Sequence, residues 1–126
     1  MNLANFEIYQ LAVEVGEDVY SIISKWQYFE KDTVGKQLVR SSDSIAANLS
    51  EGAGRYHFKD RRNFGYYARG SLFETKTWIT KAHSRYLIDD KSYLELINKL
   101  ETLGVKLNNY IKALNTKSAS PTNIHK

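Results

Sequence analysis

No proline occurs before Pro121, so the first 120 residues lack the residue that most strongly interrupts a helix. Within them, apolar residues recur at helical spacing in four separate stretches, and the sustained alternation that a strand needs is absent. A chain patterned this way buries its apolar residues most simply as long amphipathic helices packed side by side.

The first stretch runs from about Asn5 to Trp26. It carries Phe6, Tyr9, Val13, Tyr20 and Ile23, with Ile8, Ala12, Val15, Val19 and Ile22 widening the stripe. Residues 27–32 read as a turn, after which Asp32 or Thr33 can cap a second helix that turns Val34, Leu38, Ile45 and Leu49 inward. Gly52 and Gly54 offer the left-handed geometry that commonly ends a helix. The third stretch, from about Lys59 to Tyr86, places Phe64, Tyr67, Ser71, Trp78 and Ala82 along one side. Asp89 or Asp90 can cap the fourth, which runs from Tyr93 through Leu96, Ile97, Leu100, Leu103, Leu107 and Ile111 to Leu114.

Short links force neighbouring helices antiparallel. The expected fold is therefore all-α, an up-down-up-down four-helix bundle over residues 1–114 with a flexible C-terminal tail at 115–126. At 126 residues the chain can bury one core and is too short for two ordinary domains.

Residues 41–55, SSDSIAANLSEGAGR, are poor in bulk, with Ile45 and Leu49 their only large apolar side chains. Small residues there, together with Gly65 and Gly70 in the third stretch, let the two central helices approach closely. Each mid-helix glycine costs about 1 kcal/mol relative to alanine, which close packing must offset. An inward-facing Asn48 leaves roughly 1–3 kcal/mol uncompensated unless its amide finds partners among neighbouring serines or Glu74. Arg40, Ser44, Asn48, Glu51 and Glu74 thus form a candidate polar clasp that fixes helix register, a reading favoured over a ligand site.

The absence of cysteine excludes disulfides, thiolate nucleophiles and cysteine metal sites. His57, His83 and His125 lack metal-ligand spacing, and the glycines at 52–54 lack the Lys-Ser/Thr of a phosphate loop. Neither a nucleophile nor a histidine is placed to work with the carboxylates, so an enzyme is the least supported class and no cofactor is expected. The N-terminus has neither the basic start nor the apolar run of a secretion signal, and no window approaches a membrane span. A cytoplasmic protein without membrane contact is the expectation.

The net charge of +4 is unevenly placed: residues 1–30 carry −4, residues 31–86 carry +6 and residues 87–126 carry +2. All six arginines lie in the middle segment, which points to an acidic partner. There Arg55, His57, Lys59, Arg61 and Arg62 are interleaved with Tyr56, Phe58 and Phe64. Cations that neutralise phosphates beside rings that stack on unpaired bases suit RNA or single-stranded DNA. The competing reading is a solvated helix start whose aromatics pack into an interface, since aromatic residues are plentiful at 13%.

The stretch 41–55, with GKQLVR before it and RGSLFET after it, resembles the signature of four-helix bundle proteins encoded in intervening sequences of bacterial 23S rRNA genes. The positions that carry the resemblance are Gly35, Gln37, Leu38, Arg40, Ser44, Ile45, Asn48, Glu51, Gly52, Gly54 and Arg55, then Gly70, Ser71, Leu72 and Glu74. Weaker similarity extends over about residues 6–112. The resemblance implies an antiparallel bundle and a homo-oligomer, a pentameric ring. It also implies kinship with the basic accessory protein of diversity-generating retroelements, which associates with a reverse transcriptase and nucleic acid. Where many members have Ser or Thr after Gly-Arg, this chain has GRYHFKDRRNF, leaving His57 or Asp60 to cap the third helix. The function expected from residues and resemblance together is a non-enzymatic, nucleic-acid-associated oligomeric adaptor. The alternative is a structural protein-interaction oligomer that binds no nucleic acid.

Overall fold

In a computed structural model, which describes residues 2–118, the protein is all-helical. A 3-10 turn at Leu3–Asn5 leads into α1 (Glu7–Ile23), followed by α2 (Lys36–Ala53), α3 (Phe58–Ser84) and α4 (Asp90–Ser118). Helix α4 thus reaches past the expected boundary at 114, and residues 119–126 of the expected tail lie outside the described residues.

The pairs α1–α4 and α3–α4 run antiparallel, as their contacts record. Between α1 and α4, Lys106 reaches Glu7 at 2.6 Å, while Lys99, nearer the other end, reaches Glu14 at 2.7 Å and Asp18 at 2.5 Å. Between α3 and α4 the pairs Arg62 with Asn115 and Lys76 with Glu101 descend one helix as they ascend the other. The most extensive packing joins α2 to α3.

The core seam consists of Ala12, Val15 and Val19 from α1, Leu38, Ile45 and Leu49 from α2, Ala68, Leu72 and Ile79 from α3, and the leucines of α4. Each large aliphatic side chain so buried contributes about 1.5–3 kcal/mol. For α2 and α4 this is the expected face. In α1 the expected stripe holds Phe6, Ile8, Ala12, Val15, Val19 and Ile23 inward but leaves Val13 and Tyr20 exposed; in α3 the stripe is rotated, with Tyr67 exposed and the buried line running through Gly65, Ala68, Leu72, Thr75, Ile79 and Ala82. The expected stripes followed the aromatic residues, whereas close helix approach selects the small ones beside them.

Three terminal assignments also differ. Helical structure resumes at Tyr28, in the expected turn, and continues through a π-helical segment at Lys31–Gly35 into α2. Asp32 therefore lies within a helix and pairs with Lys36, while Thr33 donates to the Phe29 carbonyl; neither caps. Gly35 fits there because a Cβ would come 2.9 Å from the Glu30 carbonyl and 3.1 Å from Ile23. No described glycine has positive φ, so neither Gly52 nor Gly54 supplies a left-handed stop. Gly52 is buried inside α2, where a Cβ would sit 2.8 Å from that of Phe64.

At the other loop Asp89 is the cap of α4, accepting from the Ser92 amide at 2.7 Å. That hydrogen bond holds the Asp89 carboxyl below the usual carboxylate range.

Candidate nucleic-acid interface

The candidate basic cluster gathers where α2 ends, α3 begins and α4 finishes. His57 occupies the N-cap position of α3 in extended backbone, but its side chain makes no capping bond, and Asp60 lies in the first turn. Neither side chain takes the capping role expected of it. The Asp60 charge still suits the positive end of the helix dipole.

The cations there are in different circumstances. Arg55 pairs with Glu51 at 2.8 Å and stands 4.9 Å from the Phe64 ring centroid, so its charge is partly answered within the chain. Arg61 Nε donates to the Arg55 carbonyl at 2.7 Å, with its guanidinium 5.3 Å from the Phe58 ring. Arg62 Nη1 donates to Asn115 Oδ1 at 3.2 Å, and its buried Nε has no hydrogen-bond partner among the described residues. Lys59 is exposed and makes no ion pair among them. Tyr56, 77% exposed, meets His57 edge to face at 4.9 Å, so two adjacent rings stand in solvent.

Sequence reasoning missed the contribution of α4. Lys117 lies over the Phe58 ring at 5.5 Å, and Lys112, five residues earlier on α4, is exposed. Phe58 is thereby flanked by Arg61 and Lys117, a cation–π arrangement worth roughly 0.5–1 kcal/mol per contact at an exposed site. Nearby, burial pushes the Tyr110 hydroxyl above the usual tyrosine range and Arg61 opposes the shift. The antiparallel return of α4 brings Lys112 and Lys117 to the corner, and a linear scan has no signal for that beyond the bundle topology itself.

The residues of the candidate clasp fall into three separate arrangements. Arg40 reaches across to Glu74 at 2.5 Å and also donates to Gln37, while Trp78 Nε1 donates to the same Glu74 oxygen at 3.1 Å. Asn48 does not meet Glu74; its amide donates to the Ser44 carbonyl of its own helix at 2.9 Å. Glu51 serves Arg55. The buried polar link between α2 and α3 is instead Ser41 with Thr75. A short polar side chain on a helix finds the carbonyl one turn back more cheaply than a distant partner, which accounts for Asn48.

Among the described residues no group of three or more His, Asp or Glu side chains is placed to hold a metal ion, and no helix is long and apolar enough to cross a membrane. The arrangement at the corner suits attraction of a polyanion and stacking on exposed rings.

Residues 4–109 match the model of the family described as 23S rRNA-intervening sequence protein. The crystal structure of a protein of unknown function from the S23 ribosomal protein family of Bacteroides thetaiotaomicron is similar in fold. The TM-score is 0.75 at 21% identity, over 83% of this chain and 98% of that one. No curated protein matches the chain.

Proposed function

We propose, from the premise that the chain belongs to the 23S rRNA-intervening sequence protein family, that it is a non-enzymatic oligomeric adaptor for RNA or single-stranded DNA. Its binding surface is the corner formed by the start of α3 and the end of α4. One observation carries this reading: Lys59 and Lys117 stand there without acidic partners among the described residues, beside the exposed Tyr56, and Lys112 is exposed on the same end of α4. One corner gives modest affinity at physiological salt. A ring of copies, five in the form the family resemblance implies, multiplies it through effective concentration without new contacts.

The test is a titration of labelled ribosomal RNA fragments and single-stranded DNA over a range of salt. Replacing Lys59, Arg61 and Lys117 with glutamine should lower the salt slope by about 2 for single strands. Absence of binding at low salt rejects the reading. Because Arg55 already has Glu51, Arg55→Gln should matter less than Lys59→Gln.

The structural-oligomer reading has its own support. Gly70 sits within α3 on an exposed face with nothing within 4 Å of where its Cβ would stand, flanked by exposed Tyr66, Tyr67 and Phe73. Chain-internal packing gives no reason for a glycine there, whereas a neighbouring copy pressed against the rings does. Light scattering on a size-exclusion column, with the absorbance ratio read for bound nucleic acid, separates the two: an assembled particle that binds no nucleic acid favours this second reading.

A further inference from the structure

The end of the bundle opposite the basic corner is made by two connections, residues 24–35 between α1 and α2 and residues 85–89 between α3 and α4. Trp26 Nε1 donates to the Leu87 carbonyl at 3.1 Å and joins them into one surface. Three rings turn outward from it: Tyr28 is 79% exposed, Phe29 70% and Tyr86 95%. Tyr86 has a φ of 61°, the one positive φ of a non-glycine residue among those described. A helix terminus that keeps a tyrosine where glycine is at ease, with its ring in solvent, points to a use for that ring outside the fold.

The charges at this end are sorted unequally. Its acids have partners within the chain: Asp32 pairs with Lys36 at 3.2 Å, Asp89 caps α4 and feels the charge of Lys91, and Asp90 faces His83 at 2.7 Å, while Glu30 makes no ion pair among the described residues. Its cations are mostly free. Lys25, Lys31, Arg85 and, in the first turn of α4, Lys91 form no ion pair or side-chain hydrogen bond among the described residues.

From the outward rings and the unpaired cations we infer that this end is a second binding surface for single-stranded nucleic acid, distinct from the basic corner. Unpaired bases stack on Tyr28, Phe29 and Tyr86 while the four cations neutralise phosphates. A protein partner fits less well, because lysine is depleted from protein interfaces and three of these four cations are lysines. Helix α3 is 27 residues long, which sets the two ends roughly 40 Å apart. One bundle can therefore hold two short strands, or two stretches of a long one. This inference shares its ligand class with the proposed function and uses none of the same residues.

The test counts sites with a fluorescent thymidine hexamer, using native mass spectrometry for stoichiometry and anisotropy for affinity. The wild-type chain should bind two hexamers per subunit at low salt. The quadruple variant Lys25→Gln, Lys31→Gln, Arg85→Gln, Lys91→Gln should bind one, with the salt slope lowered by about 3. Tyr28→Ser combined with Tyr86→Gly should weaken that same site by roughly thirtyfold or more, with an unchanged or raised melting temperature as evidence of folding. If the quadruple variant keeps both sites, the inference is overturned. A corner variant, Lys59→Gln with Lys112→Gln and Lys117→Gln, separates the two ideas. Loss of a hexamer in the quadruple variant alone supports the second surface and rejects the corner; loss in the corner variant alone does the reverse; no binding by the wild type rejects both.

Discussion

Thr75 Oγ1 lies 3.1 Å from Ser41 Oγ with both side chains completely buried, and this contact links α2 to α3 at the centre of the bundle. Ser41 Oγ is also 3.2 Å from the Leu38 carbonyl, and Thr75 Oγ1 is 2.7 Å from that of Ser71. Two hydroxyl protons cannot fill all three contacts at once, so the Thr75 proton is shared between Ser41 and the Ser71 carbonyl, which couples the two side chains. Thr75→Val should destabilise the fold by about 1–2 kcal/mol. The double change with Ser41→Ala should cost less than the sum of the single changes, by at least about 0.5 kcal/mol. A urea-denaturation cycle measures this; strict additivity would mean the two hydroxyls do not act together.

Two glycines at the α2–α3 pair make opposite predictions. A Cβ on Gly52 would meet Phe64 Cβ at 2.8 Å and the Arg61 carbonyl at 3.3 Å, and helix backbones cannot part locally without loosening the seam. Gly52→Ala should therefore destabilise by about 1–3 kcal/mol despite its better helix propensity. Gly70→Ala meets nothing and should stabilise an isolated subunit by up to about 1 kcal/mol. If Gly52→Ala proves stabilising in thermal denaturation, the close approach of α2 and α3 is not what requires that glycine.

The small-residue stretch at 41–55 and the leucine ladder of α4 made the bundle legible, because spacing alone decides which residues of a long helix can share a face. The same reasoning misplaced most of the seam of α3 and drew that of α1 too wide, taking in Val13 and Tyr20. Hydrophobicity ranks Tyr20 and Tyr67 above Ala12 and Ala68, yet at a close crossing volume decides, and the rings were displaced to the surface. Termini were the least legible part. Nothing in YFEKDTVGK alone distinguishes a capped turn from a π-helical entry, because Gly35 packs against Ile23, which lies outside that stretch. Of the basic corner, the consecutive residues 55–62 were visible, while Lys112 and Lys117 arrive only through the fold.

Tyr86 ends α3 in a paired arrangement of backbone bonds: the Leu87 amide donates to the Ala82 carbonyl at 2.9 Å and the Tyr86 amide to the His83 carbonyl at 3.0 Å. This geometry demands a left-handed residue at position 86, which costs an ordinary side chain about 1 kcal/mol or more relative to glycine. Tyr86→Gly should accordingly raise stability by roughly 0.5–1 kcal/mol in chemical denaturation, after allowance for the greater freedom of glycine in the unfolded chain. A loss of stability would show that the tyrosine ring contributes to the folded subunit after all.

Asp43 leans from α2 onto α1 so closely that a Cβ on Gly16 would stand 2.8 Å from its Oδ1. Burial raises the Asp43 carboxyl above the usual aspartate range, and the neighbouring charge of Glu17 raises it further. A carboxyl whose pKa is higher in the folded than in the unfolded state binds its proton more readily when folded. Its contribution is therefore favourable below the ordinary aspartate range and is lost as pH rises through the raised value. At neutral pH the ionised group is a small liability. Asp43→Asn should then raise the melting temperature at pH 7, by an amount worth well under about 1 kcal/mol because the side chain is largely open to water. On acidification through the raised pKa and the ordinary carboxylate range, the wild-type protein should recover its deficit. Melting curves of both proteins from neutral to acidic pH test this, and a gap that stays constant would assign the effect to the shape of the amide rather than to the charge it removes.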